Sequence, residues 1–140
     1  MTTALDTNVV VALWDRDRGI SLAAQSALDN ALSRGALVLS APVLAELMAA
    51  PGRSEPFIDA FLRDTGLMVD WDLDEAIWRV AGRAFQKYAT RRRGQLPQGP
   101  RRILADFLIG AHAVVRGHRL LTLDDRLYRA AFPRLVLVGV

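Results

Sequence analysis

Four acidic residues occupy segments that disfavour carboxylates. Asp6 closes the apolar opening Thr3-Ala-Leu, and Glu46 is the only charged residue between Pro42 and Ala50. With His112 neutral, Asp106 is the only charge from Ile103 through Val115, while Asp124 follows the run Leu120-Leu-Thr-Leu. A carboxylate in apolar surroundings costs free energy unless something pairs with it. Four of them converging in a poorly solvated cleft would repel one another by about 3 kcal/mol per pair at roughly 5 Å and an effective dielectric of about 20. A divalent cation removes that penalty. An all-oxygen ligand set suits a hard ion, Mg2+ or Mn2+, which keeps several waters and takes phosphate oxygens as well. The chemistry that follows is phosphodiester hydrolysis, with an activated water and stabilised charge on the scissile phosphate.

Competing chemistries find less support. The chain has no Cys, which excludes disulfides and thiolate chemistry and fits a reducing cytoplasm. His112 and His118, with no His-x-x-x-His spacing, are too few nitrogen ligands for structural zinc. No Ser lies in the glycine pattern of a nucleophile elbow, so Ser/His/Asp catalysis is disfavoured too. Each acid nevertheless has a plain structural explanation. Asp6 and Asp124 suit helix N-caps. Glu46 and Asp106 suit a solvated face or the start of a helix, where an acid gains roughly 0.3–1 kcal/mol. For Asp106 the solvated face fits poorly, because a helical wheel surrounds it with Ile103, Ile109 and Ala113.

Gathering these acids requires an α/β fold. Short apolar runs alternate with stretches of helical period, the pattern of a mostly parallel sheet flanked by helices. Strands are expected at Thr3 to Leu5, Ala36 to Ser40, Leu67 to Val69, Arg119 to Thr122 and Leu135 to Val138. Helices are expected from Asn8, over Leu22 to Arg34, from Pro42 to about Ala50, over Phe57 to Leu62, from Leu73 to a stop near Arg91-Arg-Arg-Gly94, over Arg101 to Val115 and over Asp125 to Ala131. Gly35 is placed to end the second helix in the left-handed conformation. Pro51, Gly52 and Pro56 mark one loop and Gln95 to Pro100 another. Asp6, Glu46 and Asp124 then follow strands, where open parallel sheets place ligands. With 140 residues, 51% of them hydrophobic, residues 1–140 suffice for one domain with one core. Asp6 interrupts the opening apolar run and later runs are too short to span a membrane, so a soluble intracellular protein is expected. A formal net charge of +3 favours an anionic partner.

The acids also lie in recognisable motifs. Leu5-Asp6-Thr7-Asn8 with Val-Val, Ser40-Ala-Pro-Val-Leu-Ala-Glu46-Leu, Asp106-Phe-Leu-Ile-Gly-Ala-His-Ala113, and Leu120-Leu-Thr122-Leu-Asp124 with Tyr128 occur in that order over nearly the whole chain. Together they resemble the PIN-domain ribonucleases and, within them, the VapC toxins of bacterial toxin–antitoxin pairs. The resemblance implies a three-layer α/β/α fold, a metal-dependent endoribonuclease, an RNA substrate, a cognate antitoxin and a homodimer. It also implies an acidic cluster of Asp6, Glu46, Asp106 and Asp124, with Asp6, Asp106 and Asp124 as direct metal ligands and Glu46 acting through water. Thr7 and Thr122 would orient neighbouring carboxylates, and Asn8 would hold the first loop or touch substrate. Asp125 adjoins Asp124, but Asp124 completes the Thr-x-Asp segment.

Two other readings stand beside this one. A haloacid-dehalogenase-type phosphatase also begins with an Asp after its first strand, but it needs a second acid where Asn8 stands and a later Lys in a suitable context. A catalytically inactive RNA- or partner-binding module would keep the fold with a vestigial site. Among weaker features, Arg91, Arg92, Arg93, Arg101 and Arg102 flank a loop and suit either RNA phosphates or a solvated surface. Trp14, Trp71 and Trp78 suit base stacking or, more commonly for aromatics, the core or a partner interface. His112 belongs in the interior with a hydrogen bond and no catalytic role.

Overall fold

The computed structural model describes residues 1–94 and 103–140. Strand β1 (Thr3–Leu5) leads into α1 (Thr7–Leu13) and α2 (Arg18–Leu32), then β2 (Leu37–Ser40), α3 (Ala41–Met48) and α4 (Glu55–Thr65). After β3 (Met68–Asp70) come α5 (Glu75–Arg93), α6 (Leu104–Arg116), β4 (Arg119–Thr122), α7 (Asp125–Ala131) and β5 (Leu137–Gly139). The sheet order is β3-β2-β1-β4-β5, and every pairing is parallel, a stricter outcome than the mostly parallel sheet expected. Parallel neighbours cannot be joined by tight turns, so helices cross between strands and build the three-layer α/β/α arrangement.

Burial on both faces explains why the central strands read as apolar runs. Ala4, Leu5, Leu39, Leu120 and Leu121 are buried, and Val9, Val10, Leu47, Ile58, Phe107 and Ile109 close over them from the helices. The apolar period of α5 buries Ile77, Ala81 and Ala84, and its Phe85 and Tyr88 rings lie 5.1 and 5.4 Å from the ring of Phe107 on α6. Gly110 belongs to the same packing. A Cβ there would run into the Phe132 ring just after α7.

Several boundaries differ from the sequence expectation. Pro56 lies in the first turn of α4 and not in a loop, because Ser54 caps that helix by accepting the Phe57 N–H at 3.3 Å. Gly35 does not make a left-handed cap. Its φ is +154°, and the backbone of Met1 lies where a Cβ would stand, so close approach is what demands glycine. On α2, Ala24 and Ala31 are buried, whereas Leu32 is exposed. Helix α6 begins at Leu104, and Arg101, Arg102 and the expected Gln95 to Pro100 loop lie outside the described residues. Arg91, Arg92 and Arg93 form the last turn of α5, where the sequence placed the end of that helix. Trp14 meets Phe57 and Phe61 edge-on, but Trp71 and Trp78 are 65% and 47% exposed, so neither belongs to the core.

A polar cluster fixes α6 against the segment between β3 and α5. His112, fully buried, shares a 2.9 Å hydrogen bond through Nε2 with Asp70, and Arg116 reaches Asp70 at 3.4 Å and Asp74 at 3.1 Å. This is the interior, hydrogen-bonded histidine that the apolar helix implied. The bond from His112 holds the Asp70 carboxyl below its usual 3.8, ahead of the opposing effect of burial. A carboxyl depressed in the folded state stabilises the fold above its unfolded value, and that contribution disappears as pH falls through the folded value.

Two outcomes follow from this packing. Acid unfolding monitored below pH about 4 should be less steep for Asp70→Asn than for the parent, and at neutral pH the variant should lose about 1–3 kcal/mol, the worth of a hydrogen bond to a charged group. An unchanged acid limb would show that Asp70 contributes nothing through its charge. Two glycines should respond with opposite signs. Gly110→Ala meets the Phe132 ring and should lower the melting temperature, overpacking by about 1–3 kcal/mol outweighing a helix preference of about 1 kcal/mol. Gly82→Ala, on exposed α5 surface with nothing within 4 Å of its Cβ, should raise it.

Candidate functional site

Strand order decides where a site can form. From β1 the sheet runs one way to β2 and β3 and the other way to β4 and β5, so the order reverses between β1 and β4. A crevice opens outside the carboxyl ends of the strands at such a point. Asp6 follows the last residue of β1, and Thr122 is the last residue of β4.

Asp6 is the most constrained of the acids. It is 6% exposed, and as the N-cap of α1 it accepts the Thr7 N–H at 2.7 Å through Oδ1. Its Oδ2 accepts the hydroxyls of Thr122 at 2.8 Å and Tyr128 at 3.0 Å. The capping role is therefore real, yet it uses only one oxygen. Burial raises the Asp6 carboxyl above its usual range; the three hydrogen bonds oppose that shift and the charge of Asp106 adds to it. Burial, followed by the Asp6 charge, likewise pushes the Tyr128 phenol upward, so it acts as a donor to Asp6.

The neighbouring polar groups are set by this first pair. Thr122 Oγ1 donates to Asp6 and accepts the Asp124 backbone N–H at 3.0 Å, which fixes where the chain carries Asp124. Asn8 bridges the same turn: its Nδ2 lies 3.5 Å from Thr122 Oγ1, and its Oδ1 accepts the Leu123 N–H at 3.2 Å. Asn8 thus holds the loop together. The Thr7 hydroxyl donates to Glu46 Oε1 at 2.6 Å, reaching from α1 to α3. Both threonines orient acids, as the motifs implied.

All four sequence-predicted acids line one cleft of about 270 Å³, together with Thr7, Asn8, Val11, Leu127 and Tyr128. Asp106, at the third position of α6, accepts the Ile103 N–H at 3.4 Å, so its helix-start role coexists with its place in the cleft. Asp124 stands at the start of α7 but makes no side-chain cap there. Among the described residues, no three His, Asp or Glu side chains form a group that could hold a metal ion as they stand. The donor set is still entirely oxygen, which fits Mg2+ or Mn2+ and no softer ion. Such ions keep most of their waters and need only one or two direct carboxylates, so four acids around one cleft suit them without a closed cage. Burial first, and then the charge of Asp106, disfavours the ionised form of Asp6, and a bound cation would favour it.

The residue with the least emphasis in the sequence is Tyr128. It stands in the closing motif without a role of its own there, and the structure brings its hydroxyl to Asp6. Outside the cleft, the arginine run divides. Arg92 lies over the Tyr88 ring at 5.7 Å, Arg93 Nε donates to the Ala89 carbonyl at 3.4 Å, and Arg91 faces a separate groove with Lys87.

Comparison with known proteins agrees with this architecture. No curated relative matches the chain by sequence. VapBC2 from Rickettsia felis, solved bound to a DNA fragment from its promoter, superposes with a TM-score of 0.69 at 19% identity, covering 100% of this chain and 99% of that one. VapBC-1 from nontypeable Haemophilus influenzae gives 0.69 at 21% identity, covering 99% and 98%. DNA-bound VapBC from Salmonella typhimurium gives 0.62 at 22% identity, again covering 99% and 98%. At these identities the likeness is one of fold. The PIN domain model matches residues 3–133, nearly the full length, and the chain belongs to the PIN domain family.

Proposed function

We propose that this chain is a metal-dependent endoribonuclease, with Asp6, Glu46, Asp106 and Asp124 as its acidic centre, acting as the toxin of a toxin–antitoxin pair. The observation that carries this reading is the convergence of four acids, from the ends of β1 and β4 and from α3 and α6, on one cleft at the sheet's crossover point. Mg2+ or Mn2+ is the cofactor, with Asp6, Asp106 and Asp124 as ligands and Glu46 acting through water. When bound, such an ion polarises a phosphoryl oxygen and acidifies a water. The chain's own part is orientation. Thr122 and Tyr128 aim one oxygen of Asp6, the Thr7 N–H and the start of α1 hold the other, and the Thr7 hydroxyl fixes Glu46.

RNA is the substrate, cut at single-stranded or loop positions, where unstacked nucleotides expose their backbone to a protein cleft. The site of action is the cytoplasm; among the described residues no helix is long and apolar enough to cross a membrane. Solved structures with this fold include VapBC assemblies and a toxin–antitoxin complex from Klebsiella pneumoniae, which supports a protein antitoxin as partner; a homodimer is part of the same proposal. Recovery from its native host should give the chain with a small protein bound, and an unpartnered active enzyme would count against the toxin assignment.

Asp106→Asn tests the centre directly. Asn keeps an acceptor for the Ile103 N–H, so α6 should start unchanged. With one negative charge removed from the cleft, melting in chelator should be at the parental temperature or above it. RNA cleavage should fall by about 10²–10³-fold, as on loss of one electrostatic stabiliser. Millimolar-range Mg2+ or Mn2+ should raise the parent's melting temperature and raise the variant's less, because a ligand that binds only the folded state stabilises it. Parental cleavage together with a parental metal shift in Asp106→Asn would overturn the assignment and leave the inactive-module reading.

A further inference from the structure

We propose that the groove between the C-terminal half of α5 and the end of α7 is a second RNA contact, cradling backbone phosphates of the strand whose scissile bond lies in the acidic cleft. This rests on the ribonuclease reading above. The groove encloses about 430 Å³, with Lys87, Thr90 and Arg91 on one wall and Ala130, Ala131 and Pro133 on the other. Lys87, Thr90 and Arg91 are related by three- and four-residue steps, so they share one face of α5. The small residues opposite leave room between the walls.

The charge of α5 is lopsided in the same place. From Ala76 to Gly94 it carries Arg79, Arg83, Lys87, Arg91, Arg92 and Arg93 and no acid. Arg79 is neutralised by Glu75 at 2.6 Å, while Arg92 and Arg93 turn to Tyr88 and to the Ala89 carbonyl. Among the described residues, Lys87 and Arg91 form no ion pair, and both are exposed on the groove. Cations in the last turn complement the helix dipole, which accounts for Arg91 but not for Lys87, a full turn earlier.

Proximity to the cleft identifies the anion. Leu127 and Tyr128, in the middle of α7, line the acidic cleft, and Ala130 and Ala131, its last two residues, line the groove, so the two linings are offset by about one helical turn, roughly 5 Å along the axis. A cleft of four carboxylates repels a polyanion, so the strand's affinity must come from cations within reach. The groove supplies them about one turn further along α7, and the Thr90 hydroxyl and Gln86 amide add donors for phosphate or sugar oxygens.

The test compares the parent with Lys87→Gln/Arg91→Gln and, as a control on the same helix, Arg79→Gln. Binding of a single-stranded oligoribonucleotide is measured in the Asp106→Asn background over a range of salt concentrations, and cleavage is measured with the intact acidic centre. Losing two phosphate contacts should weaken binding and make the slope of log K against log salt shallower by about 1.4, at roughly 0.7 per phosphate for single strands. Arg79→Gln should leave the slope as it was. Cleavage of a long strand should slow in the double variant through KM, while cleavage of a dinucleotide, too short to reach the groove, stays at the parental rate. Lys87→Arg should restore a Lys87→Gln single variant, which a folding defect would not allow. If the parent cleaves RNA and the double variant keeps its salt slope, the groove is wrong and the ribonuclease reading survives. If the parent binds RNA without cutting it, the slope still decides for or against the groove. A parent that neither binds nor cuts RNA overturns both.

Discussion

The buried carboxylate of Asp6 is the constraint on which the rest of the site depends. An ionised acid at the end of a central strand is tolerated only if its oxygens are fully engaged, and a buried acceptor left without partners costs about 1–3 kcal/mol or more. Three donors from three elements meet that requirement: the Thr7 N–H at the start of α1, the Thr122 hydroxyl at the end of β4 and the Tyr128 hydroxyl on α7. Each donor then places something else. Thr122 receives Asn8 and the Asp124 backbone, Thr7 reaches Glu46, and Tyr128 closes the floor of the cleft. The orientation of the acids and the junction between the first strand and the last third of the chain are therefore one structure. A change at Asp6 is felt in both.

Much of this was legible in the residues. Parallel strands flanked by helices on both faces write themselves as short apolar runs, which is why β1, β2 and β4 fall where Thr3-Ala-Leu, Leu37-Val-Leu and Leu120-Leu-Thr stand. A charge that interrupts such a run has few explanations, and this made Asp6, Glu46, Asp106 and Asp124 visible and placed them in one cleft. Less legible were features set by contact with distant segments. Gly35 looks like a helix stop, but its requirement comes from the backbone of Met1 crossing it. Pro56 looks like a loop residue until Ser54 is seen to cap the helix it begins. Tyr128 accompanies the closing motif with no role of its own, and only the folded position of α7 brings its hydroxyl to Asp6.

Capping a helix and lining the cleft turn out to be compatible uses of one carboxylate. Asp6 gives one oxygen to the start of α1, and Asp106 receives the Ile103 N–H at the start of α6. A helix start carries partial positive charge and so lowers the cost of crowding acids beside it. Two helix starts aimed at one acidic cleft thus do some of the electrostatic work before any ion arrives. The His112, Asp70 and Arg116 cluster serves α6 differently, anchoring that helix from the β3 side so that Asp106 is presented from a fixed base.

The pairing of β1 with β4 also governs when the cleft can exist. Thr3 is registered against Arg119 and Leu5 against Leu121, so the centre of the sheet joins residues more than a hundred positions apart. Contacts of such long range carry a high closure entropy and form late. During synthesis the early acids leave the ribosome well before Thr122, Asp124 and Tyr128, at about 5–20 residues per second. A nascent chain therefore holds Asp6 and Glu46 without the donors that orient the first or the acid that completes the set. The fold delays the complete cleft until β4 and α7 have been made, and the ribosome is spared an encounter with it while only the first acids have emerged.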